Sequence, residues 1–470
     1  MIQINKSMLN RETGLMNVNL VRKENRYKSF NIHSADQANE GTKFRPGKYS
    51  IRSFKDTLLA SSFLLFAFNA ESYAQQIYDG SSALLTGSDA ISGNFENIIG
   101  DSSLFGFIVR DGNGDPILTG TNATINYNSG QVPDFVVAGY SGLFGTGTKT
   151  TATNDNVLTF LNGTVSGDVY AGLSHYTDVV GSIDCQKLGK CDVESKLSGL
   201  KLDANGNKIQ YDLNNSEMKK GRLKAGTATT RQVFDTVTAG SSSSYFAQAK
   251  PELNDSVLTT SKNTIEINGS NNKLQDGLSA GDAGIYQSVA AVQAGTAAST
   301  NASIFPKVLK NTLVSSQNTI SINSGENNIG GDLSAGSATI QQYFGALQGG
   351  NYTSADIRSN ADTKTNTLTA SSNTINIEDN KNTIRGDVNS GAAGVKIGYG
   401  TSQTGSNGFG NVKIEHYSYA NQLTASQNAT NIRGTDNVII GNINTGTASL
   451  KHEYGDASAS GNGTNVTYNA

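Results

Sequence analysis

The sequence predicts an all-β protein built as a parallel β-helix, in which short strands stack coil upon coil into an elongated solenoid. Three observations predict this fold: an internal repeat of about 55 residues, alternation of polar and apolar residues within each copy, and a composition of 52 glycines, 5 prolines and only 16% charged residues. Recurring Val, Ile and Leu distinguish the chain from a charge-rich disordered one. Helical periodicity is not sustained in any segment.

The repeat is the strongest signal, because self-similarity at a fixed period is typical of stacked architectures. Four copies begin with a leucine and keep an asparagine and a glycine at fixed places, with the same spacing from each copy to the next. The three sets are Leu258, Leu313, Leu368 and Leu423; Asn263, Asn318, Asn373 and Asn428; and Gly281, Gly336, Gly391 and Gly446. Fainter copies precede them around Gly172 and Gly226.

Within a copy, the segments NTINI and TIRGDV alternate polar and apolar residues between clusters of Asn, Gly and Asp, which predicts short strands joined by turns. We expect each repeat unit to form three coils of about 18 residues, with every strand paired in parallel to its equivalent one coil on, about 4.8 Å along the axis. Apolar residues such as Ile375 and Ile377 would stack inward. Asn and Ser at equivalent turns would form hydrogen-bonded ladders.

Residues 1–74 are expected to be an extended signal peptide. The apolar run TLLASSFLLFAF at 57–68 has the length of a signal-peptide core and is short for a membrane span. Basic residues precede this run, and the small-residue site Ser72-Tyr73-Ala74 follows it, so cleavage is predicted after Ala74. A buried core helix over 57–68 is the alternative. We expect residues 75–150 to form an N-terminal cap with the first coils, and 151–470 to form the β-solenoid.

The leader, in which KFRPGKYSIRSFKD runs into the apolar core, resembles the extended signal peptides of Gram-negative autotransporters, the type V exported proteins. The repeated NTIxI and GDLSAG pattern over about 150–470 is similar in style to their passengers. The resemblance implies a right-handed β-helix on the outer-membrane surface or in the extracellular space. The family ends in a membrane β-barrel, whereas this chain stops at NVTYNA, so we expect a fragment or truncated product that lacks its translocation barrel.

Cys185 and Cys191, in DCQKLGKC, are the only two cysteines. In an oxidising compartment they would close a small disulfide loop, and their spacing is not that of a CxxC redox or zinc motif. Two unpaired thiols on a surface loop are the alternative.

No catalytic, cofactor-binding or metal-binding residue is predicted. Gly100-Asp101-Ser102 is the start of a serine-nucleophile motif, but the His and Asp partners of a triad do not occur at the required spacing. A calcium-like spacing of oxygens occurs at Asp111, Asn113 and Asp115 and again at Asp203, Asn205 and Asn207. Neither segment has the glycine or the acidic residue that completes such a loop, so we interpret both as turns. Asn205-Gly206 in particular predicts a hairpin.

Arg385-Gly386-Asp387 spells an integrin-type tripeptide. The aligned copies read Gly330-Gly331-Asp332 and Gln275-Asp276-Gly277, so Gly and Asp belong to a turn of the coil and only the arginine is new. The turn interpretation is favoured, and a host-cell contact remains the alternative.

The function predicted is that of a non-enzymatic adhesin or self-association stalk that contacts a host-cell or bacterial surface ligand. About half of each unit is kept among the copies while the other half varies, and variable segments on a constant scaffold are where binding specificity usually lies. A solenoid polysaccharide-active enzyme is one alternative, but the sparse charges predict no cluster of acidic residues with Arg or Lys. A trimeric autotransporter adhesin is another, although we find no heptad pattern. The net charge of −3, without a basic stripe after the leader, argues against nucleic-acid binding.

Overall fold

The computed structural model describes strand segments at 9–10, 15–21, 27–32, 82–86, 124–128 and 136–144, and then residues 150–469 apart from 163–167, 186–189, 240–245, 295–300, 350–355, 405–410 and 459–465. Within these ranges the regular elements are all β-strands, and no helix is long and apolar enough to cross a membrane. The predicted signal-peptide core at 57–68 and the cleavage site after Ala74 lie outside the described residues.

The chain divides into two compact units, Met1–Glu71 and Ser72–Ala470. The described strands of the first unit, β1 (Leu9–Asn10), β2 (Leu15–Val21) and β3 (Tyr27–Ile32), form an antiparallel meander. All strand pairs described in the second unit are parallel, and equivalent strands stack in register along five sides. The predicted all-β fold of stacked parallel strands is therefore confirmed.

The first side carries the longest strands, together with four short strands of two or three residues. Its strands are β6 (Val136–Phe144), β9 (Val169–Val180), β10 (Ile183–Cys185), β15 (Leu223–Ala239), β20 (Leu278–Gln293), β26 (Leu333–Gln348), β31 (Val388–Tyr399), β32 (Ser402–Gln403), β37 (Ile443–Asn444), β38 (Thr447–Tyr454) and β39 (Ala457–Ser458). The second side follows it in the chain and consists of β11 (Lys190–Ser198), β16 (Phe246–Asn254), β21 (Asn301–Ile304), β22 (Lys307–Leu309), β27 (Ile357–Lys364), β33 (Val412–Tyr419) and β40 (Val466–Asn469).

Three sides of shorter strands close the coil. The third side consists of β7 (Thr150–Ala152), β12 (Lys201–Asp203), β17 (Val257–Ser261), β23 (Thr312–Ser316), β28 (Thr367–Ser371) and β34 (Gln422–Ser426). The fourth consists of β4 (Ser82–Thr86), β5 (Thr124–Asn128), β8 (Val157–Asn162), β13 (Lys208–Tyr211), β18 (Thr264–Ile267), β24 (Thr319–Ile322), β29 (Thr374–Ile377) and β35 (Ala429–Ile432). The fifth consists of β14 (Glu217–Met218), β19 (Lys273–Leu274), β25 (Asn328–Ile329), β30 (Thr383–Ile384) and β36 (Val438–Ile439).

One repeat is one coil. Leu258 pairs with Leu313, Leu313 with Leu368, and Leu368 with Leu423, so neighbouring strands are one full repeat unit apart in sequence. The expected division of each unit into three coils of about 18 residues is wrong. Because each unit climbs only one strand spacing, the eight strands of the fourth side rise about 34 Å. The stack is therefore about a third as tall as the elongated solenoid that three coils per unit would give.

The coil widens along the chain. Thr124 pairs with Val157, Val157 with Lys208, and Lys208 with Thr264, so the sequence offset between paired residues grows at each step. The increase comes from segments added to the coil, because the second side begins at β11 and the fifth side at β14. The fainter copies are confirmed, since Ala171, beside Gly172, pairs with Ala225, beside Gly226.

Three corners of each coil from β16 onward share one construction, a left-handed residue followed by an Asn or Ser that is buried in all but the last coil. In one coil Lys310, Gln317 and Glu326 have φ values of 56°, 57° and 62°, and Asn311, Asn318 and Asn327 follow them. Left-handed backbone is unfavourable for residues other than glycine. Its recurrence at equivalent places in successive coils indicates that the asparagine ladders hold it there.

The interior is divided into two cores. The regular core lies between the fourth side, the fifth side and the beginning of the first, and its columns repeat the same residue type, as in Ile265, Ile320 and Ile375. The variable core lies between the rest of the first side and the second and third sides. Columns of its first side change from coil to coil, as in Val289, Phe344, Tyr399 and Tyr454, whereas the leucine column of its third side is kept. The kept half of the repeat therefore encodes the regular core, this leucine column and the corners.

Asparagine and glycine columns separate the two cores at a waist. A Cβ atom at Gly281 would lie 2.2 Å from Cγ of Asn318, and the same contact recurs in the neighbouring coils. The pairs are Gly139 with Asn156, Gly172 with Asn207, Gly226 with Asn263, Gly281 with Asn318, Gly336 with Asn373, and Gly391 with Asn428. Glycine is required on the first side because it adopts a positive φ, 78° at Gly281, and leaves room for the amide.

Each waist amide is bonded to the coils beside it. Oδ1 of Asn318 accepts the backbone N–H of Asn263 at 3.1 Å and its side-chain N–H at 2.9 Å. Asn318 in turn donates its backbone and side-chain N–H groups to Oδ1 of Asn373, both at 3.0 Å. The buried amides thus satisfy one another along the axis, which is the condition for keeping polar groups in an interior.

Deleting residues 313–367 tests the one-coil repeat. Because Thr312 would then precede Leu368 as Thr367 does now, every column is preserved and the variant should keep a β-type far-UV circular dichroism spectrum and a cooperative melt. Deleting only 313–339 places third-side residues beside first-side strands and should abolish cooperative unfolding. Equal damage from both deletions would contradict the one-coil repeat.

Asn318→Ala tests the waist. The substitution leaves two buried N–H donors of Asn263 without their acceptor, so we expect a loss of about 3 kcal/mol in the free energy of unfolding, measured by denaturant titration. Asn323→Ala removes an exposed ladder amide and serves as the matched control, with an expected change below about 0.5 kcal/mol. Similar losses of unfolding free energy in the two variants would show that a buried ladder amide contributes no more to stability than an exposed one.

Candidate functional site

A polar cleft of about 250 Å³ opens on the outer face of the first side, across β20 and β26. Its walls come from neighbouring coils and include Arg222, Ser279, Asp282, Tyr286, Asp332 and Gln341. Four successive coils thus supply one concave surface, because the residues lie about one repeat apart in sequence but one strand apart in space. The cleft is the candidate functional site.

Asp282 carries one of the two carboxyl groups that line the cleft, and Asp332 carries the other. Oδ2 of Asp282 accepts a hydrogen bond of 2.5 Å from the hydroxyl of Ser279, and no hydrogen bond to its Oδ1 occurs within the described ranges. Burial raises the pKa of this carboxyl above its ordinary value. The Ser279 hydrogen bond and the positive charges of Lys224 and Arg222 oppose this shift without cancelling it.

Tyr286 supplies an aromatic ring beside Asp282. A Cβ atom at Gly284 would lie 2.8 Å from Cε2 of Tyr286, so the ring occupies the space that a side chain at position 284 would fill. The Tyr286 hydroxyl is bonded to Thr339 of the next coil, and burial, together with the negative charge of Asp282, raises its pKa. The phenol therefore stays neutral and presents both a ring and a hydroxyl to the cleft.

Lys224 is the nearest lysine to the cleft but is already bonded. Its Nζ lies 2.6 Å from Oδ2 of Asp168 and 2.9 Å from the hydroxyl of Tyr170. Burial would lower the pKa of Lys224, but these two partners raise it above the ordinary value. Burial alone would raise the pKa of Asp168. The charge and the hydrogen bond of Lys224 outweigh burial, so the pKa of Asp168 is lowered. Lys224 therefore remains charged. Its charge neutralises that of Asp168 directly, whereas it acts on Asp282 only from a distance.

These contacts correct the expectation that the sparse charges form no cluster. Asp168, Lys224 and Asp282 come from three successive coils and are about one repeat apart in sequence, yet they lie on one face. The sequence feature that would have revealed this cluster is the spacing of its members, which lie about one repeat apart. Aligning the sequence at one coil per repeat places Tyr170 beside Lys224 and Thr227 beside Asp282.

The structure joins Cys185 and Cys191 by a disulfide, with the two Cα atoms 5.6 Å apart. Cys185 lies in β10 on the first side and Cys191 in β11 on the second, so the bond spans the connection between these sides in the first coil that has both.

Arg385, Gly386 and Asp387 lie at the turn between the fifth and first sides. Arg385 is exposed, whereas the backbone N–H of Asp387 donates to Oδ1 of Asp332 at 2.8 Å. Oδ1 of Asp387 accepts the backbone N–H of Asn442 at 2.7 Å. The aspartate thus has a role in stacking the turn, which agrees with the turn interpretation, and a cell contact stays a prediction.

The calcium-like segment at Asp203, Asn205 and Asn207 is a corner of the coil. Oδ1 of Asn205 accepts the backbone N–H of Ser261 at 2.7 Å, and Asn207 belongs to the waist ladder. The predicted hairpin at Asn205-Gly206 is wrong, because β12 and β13 lie on different sides and pair in parallel with other coils. Gly100-Asp101-Ser102 and the segment at Asp111, Asn113 and Asp115 lie outside the described residues.

The described histidines are at least partly buried. His175 bonds to the hydroxyls of Thr229 and Thr177, and burial, with the charge of Arg231 adding to it, lowers its pKa to about 4. His416 packs 4.3 Å from the ring of His452, and burial, followed by that neighbour, lowers its pKa to about 3. Both imidazoles therefore stay neutral at physiological pH. His416 contacts Tyr399 of the variable core, whereas His175 lies on the outer side of β9, in register with Thr229.

The cleft is suited to binding more directly than to metal chemistry. In the part of the chain that the structure describes, no three His, Cys, Asp or Glu side chains are grouped so as to hold a metal ion. Comparison with protein-family models, with curated proteins and with solved structures found no match. The chemistry of the cleft must therefore be argued from its own residues.

Asp282→Asn tests the cost of the buried carboxyl. The pKa of Asp282 is higher in the folded protein than in the unfolded chain, where it lies near 4. Protonated Asp282 therefore contributes stability below about pH 4, and this contribution is lost as the pH rises through the pKa of the folded protein. We therefore expect the variant to melt at a higher temperature than the natural protein at pH 7, with the difference shrinking at pH 4 and below. Asp235→Asn, at an exposed position of β15, should change the melting temperature little at either pH. A lower melting temperature for Asp282→Asn at pH 7 would contradict the burial cost.

Proposed function

We propose that the chain is the exported, surface-exposed passenger of an autotransporter-like protein and acts as a non-enzymatic adhesin or self-association module. The repeat pattern and the leader carry the resemblance to that family, and the stacked parallel fold agrees with it. Location at the outer-membrane surface or outside the cell belongs to the same proposal.

The observation that carries the proposal is the unequal variation between the regular core and the outer face of the first side. In the regular core, equivalent residues are kept, as at Ile267, Ile322 and Ile377. On the outer face of the first side, equivalent positions differ in both charge and shape. Two such columns are Arg231, Tyr286, Gln341 and Lys396, and Val233, Ser288, Tyr343 and Gly398.

This arrangement suits recognition through a broad side face. The ladders and the regular core fix the backbone, so outward side chains can change without disturbing the stack. Tyr343, with 59% of its surface exposed, lies on this face near exposed Gln341. Tyrosine is enriched in binding surfaces because it offers a large ring and a polar end.

A polysaccharide-active enzyme is the second candidate function. The cleft favours it, because the carboxyl groups of Asp282 and Asp332 line one cavity together with Arg222. Glycoside hydrolysis commonly uses two carboxyl groups. However, Oδ1 of Asp332 is occupied by the backbone N–H of Asp387, which favours a structural role for that carboxylate.

Adhesion of displaying cells tests the primary proposal. Gram-negative cells that display the protein should adhere to epithelial monolayers or to one another several-fold more than cells without it. Replacing Arg231, Tyr343 and Lys396 by alanine should lower this excess at least about threefold, which corresponds to a loss of about 0.7 kcal/mol.

A triple variant on the outer face of the fourth side is the matched control. Glu266→Ala, Ser321→Ala and Asn376→Ala change outward positions of β18, β24 and β29 and should leave adhesion unchanged. Circular dichroism must show that both variants fold. Absence of excess adhesion and aggregation in cells displaying the natural protein would refute the adhesin proposal.

A further inference from the structure

The cleft departs from the repeat in a way that stacking does not require. Asp282 stands in register with Thr227 and Ser337, and the next coil has Ala392 at this place. The first side thus accepts small or neutral residues at this position. A carboxyl appears in one coil alone, where burial disfavours its charge. Costs of this kind are typical of functional positions.

The ring in the cleft is also particular to this coil. Gly284 stands in register with Thr229 and Thr339, and Gly394 follows Thr339 in the same column. The residue two places after Gly394 is a lysine, whereas the ring of Tyr286 fills the space that Gly284 leaves open. Gly284, Tyr286 and Asp282 thus form one local arrangement. It places a ring, a phenolic hydroxyl and a carboxylate oxygen on the same side of the strand.

The remaining lining is polar and mostly uncharged. Ser334, Ser337, Thr339 and Gln341 of β26, and Asn389 of β31, add hydroxyl and amide groups that both donate and accept hydrogen bonds. Cavities that hold drug-sized ligands usually measure about 300–1,000 Å³, so this one suits a smaller group. Two carboxylates, of Asp282 and Asp332, disfavour a phosphate or another compact anion.

We propose that this cleft binds one neutral sugar ring of a surface glycan. The ring of Tyr286 contacts the apolar C–H face of the sugar, Oδ1 of Asp282 accepts hydrogen bonds from its hydroxyls, and the Ser, Thr and Gln side chains of β26 bind the remaining hydroxyls. A neutral sugar matches both the dense hydroxyl lining and the free carboxylate oxygen.

Only the biological setting of this inference rests on the proposed adhesin function. Glycans cover host and bacterial cells, so a sugar site on the first side would be one contact of an adhesin. Sugar binding by the purified protein is a separate property, and it is measured without cells.

Ligand-observed NMR of the full chain provides the test. The probes are the methyl glycosides of glucose, galactose, mannose and N-acetylglucosamine at millimolar concentration, with inorganic phosphate as the anionic comparison. We expect saturation transfer to at least one sugar, with a dissociation constant in the millimolar range or tighter. Asp282→Asn and Tyr286→Ala should each weaken that binding at least fivefold.

The controls separate loss of binding from loss of folding. Asp235→Asn on β15 and Tyr417→Ala on β33 make the same chemical changes at exposed positions outside the cleft and should keep the dissociation constant within twofold. Asp282→Asn is expected to raise the melting temperature at pH 7. Weaker binding by that variant, with a melting temperature no lower than that of the natural protein, cannot result from unfolding.

Three outcomes would overturn the proposal: no binding of any of the four sugars, equal binding by the cleft variants and the natural protein, or binding of phosphate in place of the sugars. Adhesion that persists while sugar binding fails would leave the adhesin function standing without this site. Sugar binding in a protein that supports no adhesion would leave the site standing without that function.

Discussion

The stack depends on asparagine amides that bond to their equivalents one coil away. At the waist, each Oδ1 accepts two N–H groups from the preceding coil, and each side-chain N–H continues the chain of bonds, so the polar column is satisfied only when neighbouring coils keep the same register. A slip of one residue would bury unpaired donors, each costing about 1–3 kcal/mol. The same ladders hold left-handed backbone at Lys262 and Gln317, which no intrinsic preference of lysine or glutamine favours.

This constraint accounts for what the sequence revealed and what it concealed. Residues that must stack on identical partners recur without gaps, so Asn263, Asn318 and Asn373 disclosed both the repeat and its ladders. Strand alternation was visible for the same reason, because inward positions such as Ile375 and Ile377 are apolar in every copy. The size of the coil was not visible, since alternation of period two is the same in a short coil and in a coil that takes up a whole repeat. Corners with Gln317 or Glu326 in a left-handed conformation likewise carry no local signal.

The candidate site was hidden by the same ambiguity. Asp168, Lys224 and Asp282 are separated by long stretches of sequence, and only the correct coil length brings them onto one face. Their spacing would also have been misassigned under short coils, which place residues about 18 apart in contact. Burial, and with it the pKa shift of Asp282, depends on neighbours such as Tyr286 and Ser279 arranged around the strand. By contrast, Cys185 and Cys191 are close in sequence, so the sequence favoured their disulfide and left two unpaired thiols as the alternative.

The single-coil repeat changes what gain or loss of a copy would mean during evolution. The kept halves of neighbouring units are similar enough in sequence to align with one another, so genetic recombination between them would insert or remove whole units in frame with the stack. Each such event alters the height by only about 4.8 Å. It nevertheless adds or removes a complete row of first-side and second-side residues, as the change from Tyr343 to Gly398 between adjacent rows illustrates. Copy number in this architecture would therefore diversify the chemistry of a face far more than it would extend the reach of the molecule.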